Sequence, residues 1–263
     1  MKSPLKQSIH FKSANELKNI LKPNGKISSF YLYSGAIETY LSSLGFKVIS
    51  HTNKRFMYDF WSFLKNDCSF LVSTIESIYP TMNNIQLYSI REFWHTNKKP
   101  LNRSCLFYIL NMCSDDGKVS TGNLDISKLN NFHTRKLKNF RLNNFYPFLD
   151  EDKKMIDCFH RAKETDYILL PIGKYSLNLF EYGKNKGPEM YTFNHKEIHA
   201  RVKDLDKKCI LLYKNHPALF NLYKSFNIKM VDKYGRVADN KESCEDLIIT
   251  NFWTYLNRTN GKN

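Results

Sequence analysis

Apolar residues along this chain alternate between two kinds of spacing, and the changes from one to the other outline its elements. Leu17, Ile20 and Leu21 recur at helical spacing, so residues 15–22 are predicted to coil until Pro23-Asn24-Gly25 stops them. Residues 27–32 (ISSFYL) read as a buried strand. Ser34-Gly35-Ala36 then turns the chain into a helix ending near Leu44-Gly45, and FKVIS (46–50) supplies a second strand. Strand, helix, strand in that order implies parallel pairing through a right-handed crossover.

From residue 55 the helical spacing takes over. Phe56, Phe60, Phe63 and Leu64 share one helical face, Leu71, Ile75 and Ile78 another ahead of Pro80, and residues 103–112 (RSCLFYILNM) a third. Asp115-Asp116-Gly117 and Thr121-Gly122-Asn123 punctuate a loop or hairpin that carries Lys118 and Lys128. Strand signals resume with DYILL (166–170), which runs into Pro171-Ile172-Gly173 and a connection holding Tyr182-Gly183 and Gly187-Pro188. A helix at 195–205, a strand at 209–213, a helix at 218–226 and strands at 228–231 and 247–252 complete the pattern. The predicted fold is α/β: a doubly wound, Rossmann-like domain with a mixed, mostly parallel sheet. Residues 1–60 and 141–263 are expected to form its core, and 61–140 a helical insertion.

Composition narrows this picture. With 263 residues, 42% hydrophobic and 14% aromatic, the chain is long enough for one substantial core with an insertion. No run approaches the roughly 18 to 20 apolar residues of a membrane span, and the basic start MKSPLKQSIHFKSANEL lacks the apolar stretch of a secretory signal. A cytoplasmic, non-secreted protein without membrane partners is expected. Cys68, Cys105, Cys113, Cys158, Cys209 and Cys244 are scattered without a CxxC pair, which favours buried free thiols over a metal or redox site. A formal charge of +15 favours anionic partners, nucleic acid foremost, although lysine-rich chains also arise without such a role.

Several phrases sharpen the reading. VISHTNKRFMYDFW (48–61), residues 64–80, 103–111 and 182–195, ILLYKNHPALFNLY (210–223) and EDLIITNF (245–252) stand in an order that resembles the Dam-type DNA adenine methyltransferases. That family places a cofactor loop first, a target-recognition insertion second and a catalytic loop third, and the resemblance runs from about residue 10 to 252. It implies a methyltransferase fold, S-adenosylmethionine as cofactor and double-stranded DNA as substrate.

The residues such chemistry requires are altered. The family's F-x-G-x-G loop corresponds to Tyr31-Leu32-Tyr33-Ser34-Gly35; Gly35 keeps the second glycine, and Tyr33 replaces the first with a ring expected to fill the cofactor cleft. The acidic residue that would bind the ribose hydroxyls corresponds to Thr52, with His51 before it, and a hydroxyl lacks the charged bidentate acceptor. The catalytic D-P-P-Y corresponds to Leu170-Pro171-Ile172-Gly173-Lys174, which has neither a carboxylate to accept from the adenine amino group nor an aromatic ring to stack on the flipped base. Tyr175 is the nearest ring. At the N-terminus, His10-Phe11-Lys12-Ser13-Ala14-Asn15 lacks the family's glycine pair before lysine.

These departures imply a catalytically inactive homologue that binds DNA or supports a partner, such as an active methyltransferase, with no cofactor expected. Two alternatives stand beside it. One is an active S-adenosylmethionine-dependent methyltransferase with divergent motifs, recruiting Asn178 as acceptor. The other is an assembly protein using its basic surface. The candidate DNA contacts are Lys98, Lys99, Arg103, Lys118, Arg135, Lys136, Lys138 and Arg141, with Phe132, His133 and Phe140 interleaved as stacking or wedge residues.

Lesser signals have plainer readings. His195 and His199 lie four apart on a helix without the HExxH glutamate, so no metal is expected. His216 before Pro217 reads as a helix cap, Asp115-Asp116-Gly117 as a turn and Asp150-Glu151-Asp152 as a solvated helix start.

Overall fold

Strands β4 (Tyr167–Gly173) and β5 (Lys208–Lys214) read as near-continuous apolar runs because both faces of the sheet they form with β1 (Lys26–Phe30) and β7 (Cys244–Thr250) are covered. Residues 3–7, 9–151, 154–175 and 193–253 are described by the computed structural model. Together with β2 (Lys47–Thr52), β3 (Phe145–Leu149) and β6 (Asn227–Asp232) the strands make one seven-stranded sheet of order β3-β2-β1-β4-β5-β7-β6. β1, β2, β3, β4 and β5 pair in parallel, whereas β7 runs antiparallel to both β5 and β6. This is the mixed, mostly parallel, Rossmann-like methyltransferase arrangement expected from the sequence, with β7 inserted next to the edge.

Side-chain alternation sorts the two faces. Ile168, Leu170 and Ile172 of β4, with Leu211 and Tyr213 of β5, pack under α8 (His195–Lys203) and α9 (Pro217–Leu222). Tyr167 and Leu169, with Ile210 and Leu212, pack under α1 (Ala14–Ile20) and α2 (Ala36–Ser43). A third cluster belongs to the helices between β2 and β3. α3 (Arg55–Asn66), α4 (Cys68–Ile78), α6 (Pro100–Cys113) and α7 (Asn131–Lys138) bury Phe60, Trp61, Leu71, Phe107, Tyr108 and Leu137 together. α5 (Asn84–Phe93) closes this bundle through Leu87 alone among its buried residues and starts with a reciprocal capping box between Asn83 and Gln86. α3 continues unbroken through residues 60 and 61.

Three expectations are corrected. β3 lies where no element was anticipated, and α5 and α7 are helices of the expected helical insertion that no individual signal marked. The stretch Leu170-Pro171-Ile172-Gly173 is not a loop: it is the second half of β4, with Leu170 and Ile172 buried. Asp150 does not begin a solvated helix, being buried at the end of β3 with short 3-10 turns following at Met155–Ala162. Asp152, Asn178 and the Tyr182-Gly183 and Gly187-Pro188 connection lie outside the described residues.

Candidate functional site at the strand ends

The chain leaves β1 outward to β2 and β3, then returns to place β4 on the other side of β1. In open α/β sheets such a reversal creates a crevice beyond the carboxyl ends of the two central strands, where ligands bind. Tyr31 to Gly35 after β1, Thr52 at the end of β2, Asp150 after β3 and Gly173-Lys174 at the end of β4 all gather there.

The two glycines of the crevice are covered by the protein's own side chains. Gly35 has φ +64, and a Cβ built on it would lie 2.4 Å from Cζ2 of Trp61. The Trp61 indole is itself pinned, its Nε1 donating to the Tyr33 carbonyl at 3.1 Å. Gly173 has φ +88, and there a Cβ would lie 2.6 Å from Cδ1 of Ile9. Ile9 belongs to the N-terminal segment, which crosses this end of the sheet. Ser3 Oγ donates to the Ser34 carbonyl, Ser34 Oγ donates to Gln7 Oε1 at 2.6 Å, and Lys6 N donates to Asn111 Oδ1 at 2.9 Å.

Tyr31 and Tyr33 diverge. Tyr31 takes a left-handed φ of +70 and is buried against Phe193 and the Met155–Ala162 turns, where loss of solvent pushes its phenol above its ordinary range. Tyr33 does not lie over the strand ends as expected. Its ring packs on the helical cluster and its hydroxyl donates to the Gly117 carbonyl at 2.9 Å, bracing the loop against the insertion.

At the end of β2 the polar groups are engaged with one another. Thr52 is fully buried; its Oγ accepts from Lys54 N at 3.0 Å and its carbonyl from Asp150 N at 2.8 Å. The Asp150 carboxylate sits 2.9 Å from His51 Nδ1 and 2.8 Å from Arg161 Nη1. His51 stacks on Phe30 of β1 with centroids 4.3 Å apart and tilts against Phe148 of β3, its register neighbours on either side. Its Nε2 is buried and has no hydrogen-bond partner among the described residues. Asp150 is the member of this cluster that sequence reading missed. The available signal was its place directly after an apolar run, where strand ends present acidic residues to ligands.

Beyond β4, Tyr175 lies between His195 and His216, with ring centroids 4.4 and 4.8 Å away. Burial, aided by the charge of His216, lowers the His195 imidazole to about 4, and its Nδ1 lies 3.0 Å from the Tyr213 hydroxyl. His216 caps α9, its Nδ1 accepting from Ala218 N at 3.2 Å. No group of three or more metal-ligating side chains occurs among the described residues.

The basic candidates divide by environment. Lys98, Lys99, Lys118, Arg135, Lys136, Lys138 and Arg141 are exposed. Arg103 is instead turned inward, its Nε donating to Asp59 Oδ2 at 3.1 Å within the helical cluster. Phe140 is buried and takes no part in any surface, whereas Phe132 stands largely exposed on α7. Lys136 of the candidate DNA contacts and Lys174 of the β4 end line one cleft together with Lys12 and Lys128, an opening of about 1230 Å³ between the N-terminal segment, the insertion and the core. The six cysteines are free, and all but Cys68 are buried. No helix among the described residues is long and apolar enough to cross a membrane.

No family model and no curated protein matches this sequence. Among solved structures, a TehB-like SAM-dependent methyltransferase from Corynebacterium glutamicum aligns over 91% of this chain and 86% of its own, at 8% identity and TM-score 0.38. A chain of a fibrillarin/Nop5p complex aligns over 90% of this chain and 78% of its own, at 10% identity and TM-score 0.33. Likenesses this loose transfer neither a site nor a substrate. The class of the chain, a doubly wound, Rossmann-like α/β fold, rests on its own strand order.

Proposed function

We propose that this chain is a methyltransferase-fold protein that no longer transfers methyl groups and serves as a DNA-binding or partner-supporting subunit. S-adenosylmethionine is the ligand the fold implies, and the residues present do not fit it. The observation that carries this reading is the covering of both crevice glycines, Gly35 by Trp61 and Gly173 by Ile9. Close approach to a bare α-carbon, the use a ligand makes of such glycines, is taken up by internal packing. Two further features support it. Asp150, whose amide donates to the Thr52 carbonyl at the end of β2, has its carboxylate held by His51 and Arg161. The end of β4 offers Leu170 and Pro171 in place of a carboxylate, so an adenine amino group would find no acceptor there.

DNA contact draws on the exposed basic side chains of the insertion, Lys98, Lys99, Lys118, Arg135, Lys136, Lys138 and Arg141, which would hold phosphates and position the protein without reading sequence. The alternative of an active, divergent DNA adenine methyltransferase shares the strand order but requires Trp61 and Ile9 to move. Fluorescence anisotropy on a labelled duplex at two salt concentrations tests the binding half of the proposal. Affinity that falls steeply with salt is expected, and no binding at low salt would remove it.

A further inference from the structure

From the cleft that joins the N-terminal segment, the insertion and the core, we infer a second nucleic-acid site, one that takes a single strand. It goes beyond the duplex contacts of the insertion, because its cations come mainly from elsewhere in the chain. Six lysines and three carboxylates line the cleft, and the carboxylates are already matched: Asp115 with Lys128, Asp116 with Lys118, and Glu245 with Lys214. Lys6 is turned inward onto the carbonyls of Met112 and Ser114. Lys12, Lys136 and Lys174 remain, exposed and without an ion-pair partner among the described residues. They reach one space from the N-terminal segment, α7 and the end of β4.

An aromatic ring stands beside them. Tyr234 lines the same cleft at 69% exposure, on the turn between β6 and β7, with Lys233 and Arg236 near its ring at 5.1 and 5.9 Å. The adjacent Gly235, at φ +81, lets this turn approach the Lys12 backbone so closely that a Cβ there would sit 2.9 Å from the Lys12 carbonyl. The amides of Lys12 and Ser13 both donate to the buried carboxylate of Asp246 on β7, so the segment carrying Lys12 is fixed. A concave surface with unmatched lysines and an exposed ring is what backbone tracking and base stacking along one strand require. A duplex keeps its bases stacked inside and would leave Tyr234 unused.

Anisotropy with a labelled oligothymidylate of about 12 nucleotides tests this. The full chain is expected to bind it. Tyr234→Ala should weaken binding about tenfold while Tyr234→Phe retains it. Lys12→Ala/Lys174→Ala should reduce the slope of log K against log salt by about 1.4, one step of roughly 0.7 for each phosphate contact on a single strand. A charge-matched control, Lys163→Ala/Lys203→Ala, should leave that slope unchanged. Failure of the wild-type chain to bind the oligomer would overturn the inference, as would equal effects from the two lysine pairs or no effect of Tyr234→Ala. Duplex binding by the same proteins reads the insertion separately: its loss rejects the duplex proposal alone, and its persistence does not rescue the cleft.

Discussion

His51 and Asp150 meet at the ends of adjacent strands, Nδ1 to Oδ2 at 2.9 Å, with both side chains buried. Strand β2 contributes one partner and the residue after β3 the other, and Arg161 adds its guanidinium from the turns that follow. A buried charged or polar pair contributes little against a hydrophobic replacement, but removing one partner strands the other. Asp150→Ala should therefore cost about 3 kcal/mol, roughly 6 to 12 °C in Tm for a chain of this size. Urea or thermal unfolding measures it, and a loss under about 1 kcal/mol would show the pair to be incidental.

Gly35 and Trp61 give a second test. A side chain at Gly35 would have to adopt a left-handed conformation and overlap the indole. Gly35→Ala is expected to destabilise the fold by about 2 kcal/mol or more. Were Trp61 free to swing aside and leave the glycine to a ligand, the same substitution would cost only about 1 kcal/mol of backbone strain.

Arg103 separates structure from surface. Its position in the insertion suggested a phosphate contact, yet its guanidinium serves Asp59, which is largely buried and has Arg55 as a second, longer partner at 3.7 Å. Arg103→Ala should lower stability by about 2 kcal/mol, less than a wholly isolated buried charge would cost. It should leave the salt dependence of duplex binding unchanged, whereas Lys138→Ala removes about 0.9 from that slope. Equal slopes for the two variants would argue against this division.

His195 makes stability depend on pH in a defined window. Its folded pKa of about 4 lies below the ordinary histidine value of 6.5, so the unfolded chain binds the proton more readily. Stability from this group is therefore complete above pH of about 6.5, declines as pH falls, and is lost below about 4, a total of about 2 to 3 kcal/mol. His195→Phe, which cannot take up a proton, should flatten that part of the profile in denaturant unfolding at stepped pH. An unchanged slope would assign the acid sensitivity elsewhere.

The sheet was legible where both faces are buried. DYILL and CILLY announce themselves because parallel strands under helices carry apolar residues on both faces, and LIITNF does so because β7, although antiparallel, is buried on both faces as well. β3 escaped for the opposite reason: it is an edge strand whose Tyr146 and Phe148 are exposed and whose centre is Pro147, a residue that argues against a strand. α7 escaped because a helix burying only Thr134 and Leu137 leaves almost no periodicity to read. The residue types at the positions expected to hold cofactor and substrate were plain in the sequence one at a time. What covers them was not: Trp61 over Gly35, Ile9 over Gly173 and Asp150 against His51 are contacts between segments distant in the chain, and local patterning carries no record of them. Tyr33 shows the same limit, since its bulk was evident in the sequence but its direction, toward Gly117, depends on the insertion.

Calorimetric titration of the purified chain with S-adenosylmethionine tests the central claim most directly. With Trp61 and Ile9 seated on the two crevice glycines, no binding heat is expected at ligand concentrations up to the millimolar range. Saturable binding at micromolar concentration, abolished by the competing product S-adenosylhomocysteine, would contradict the account and return the chain to the working methyltransferases.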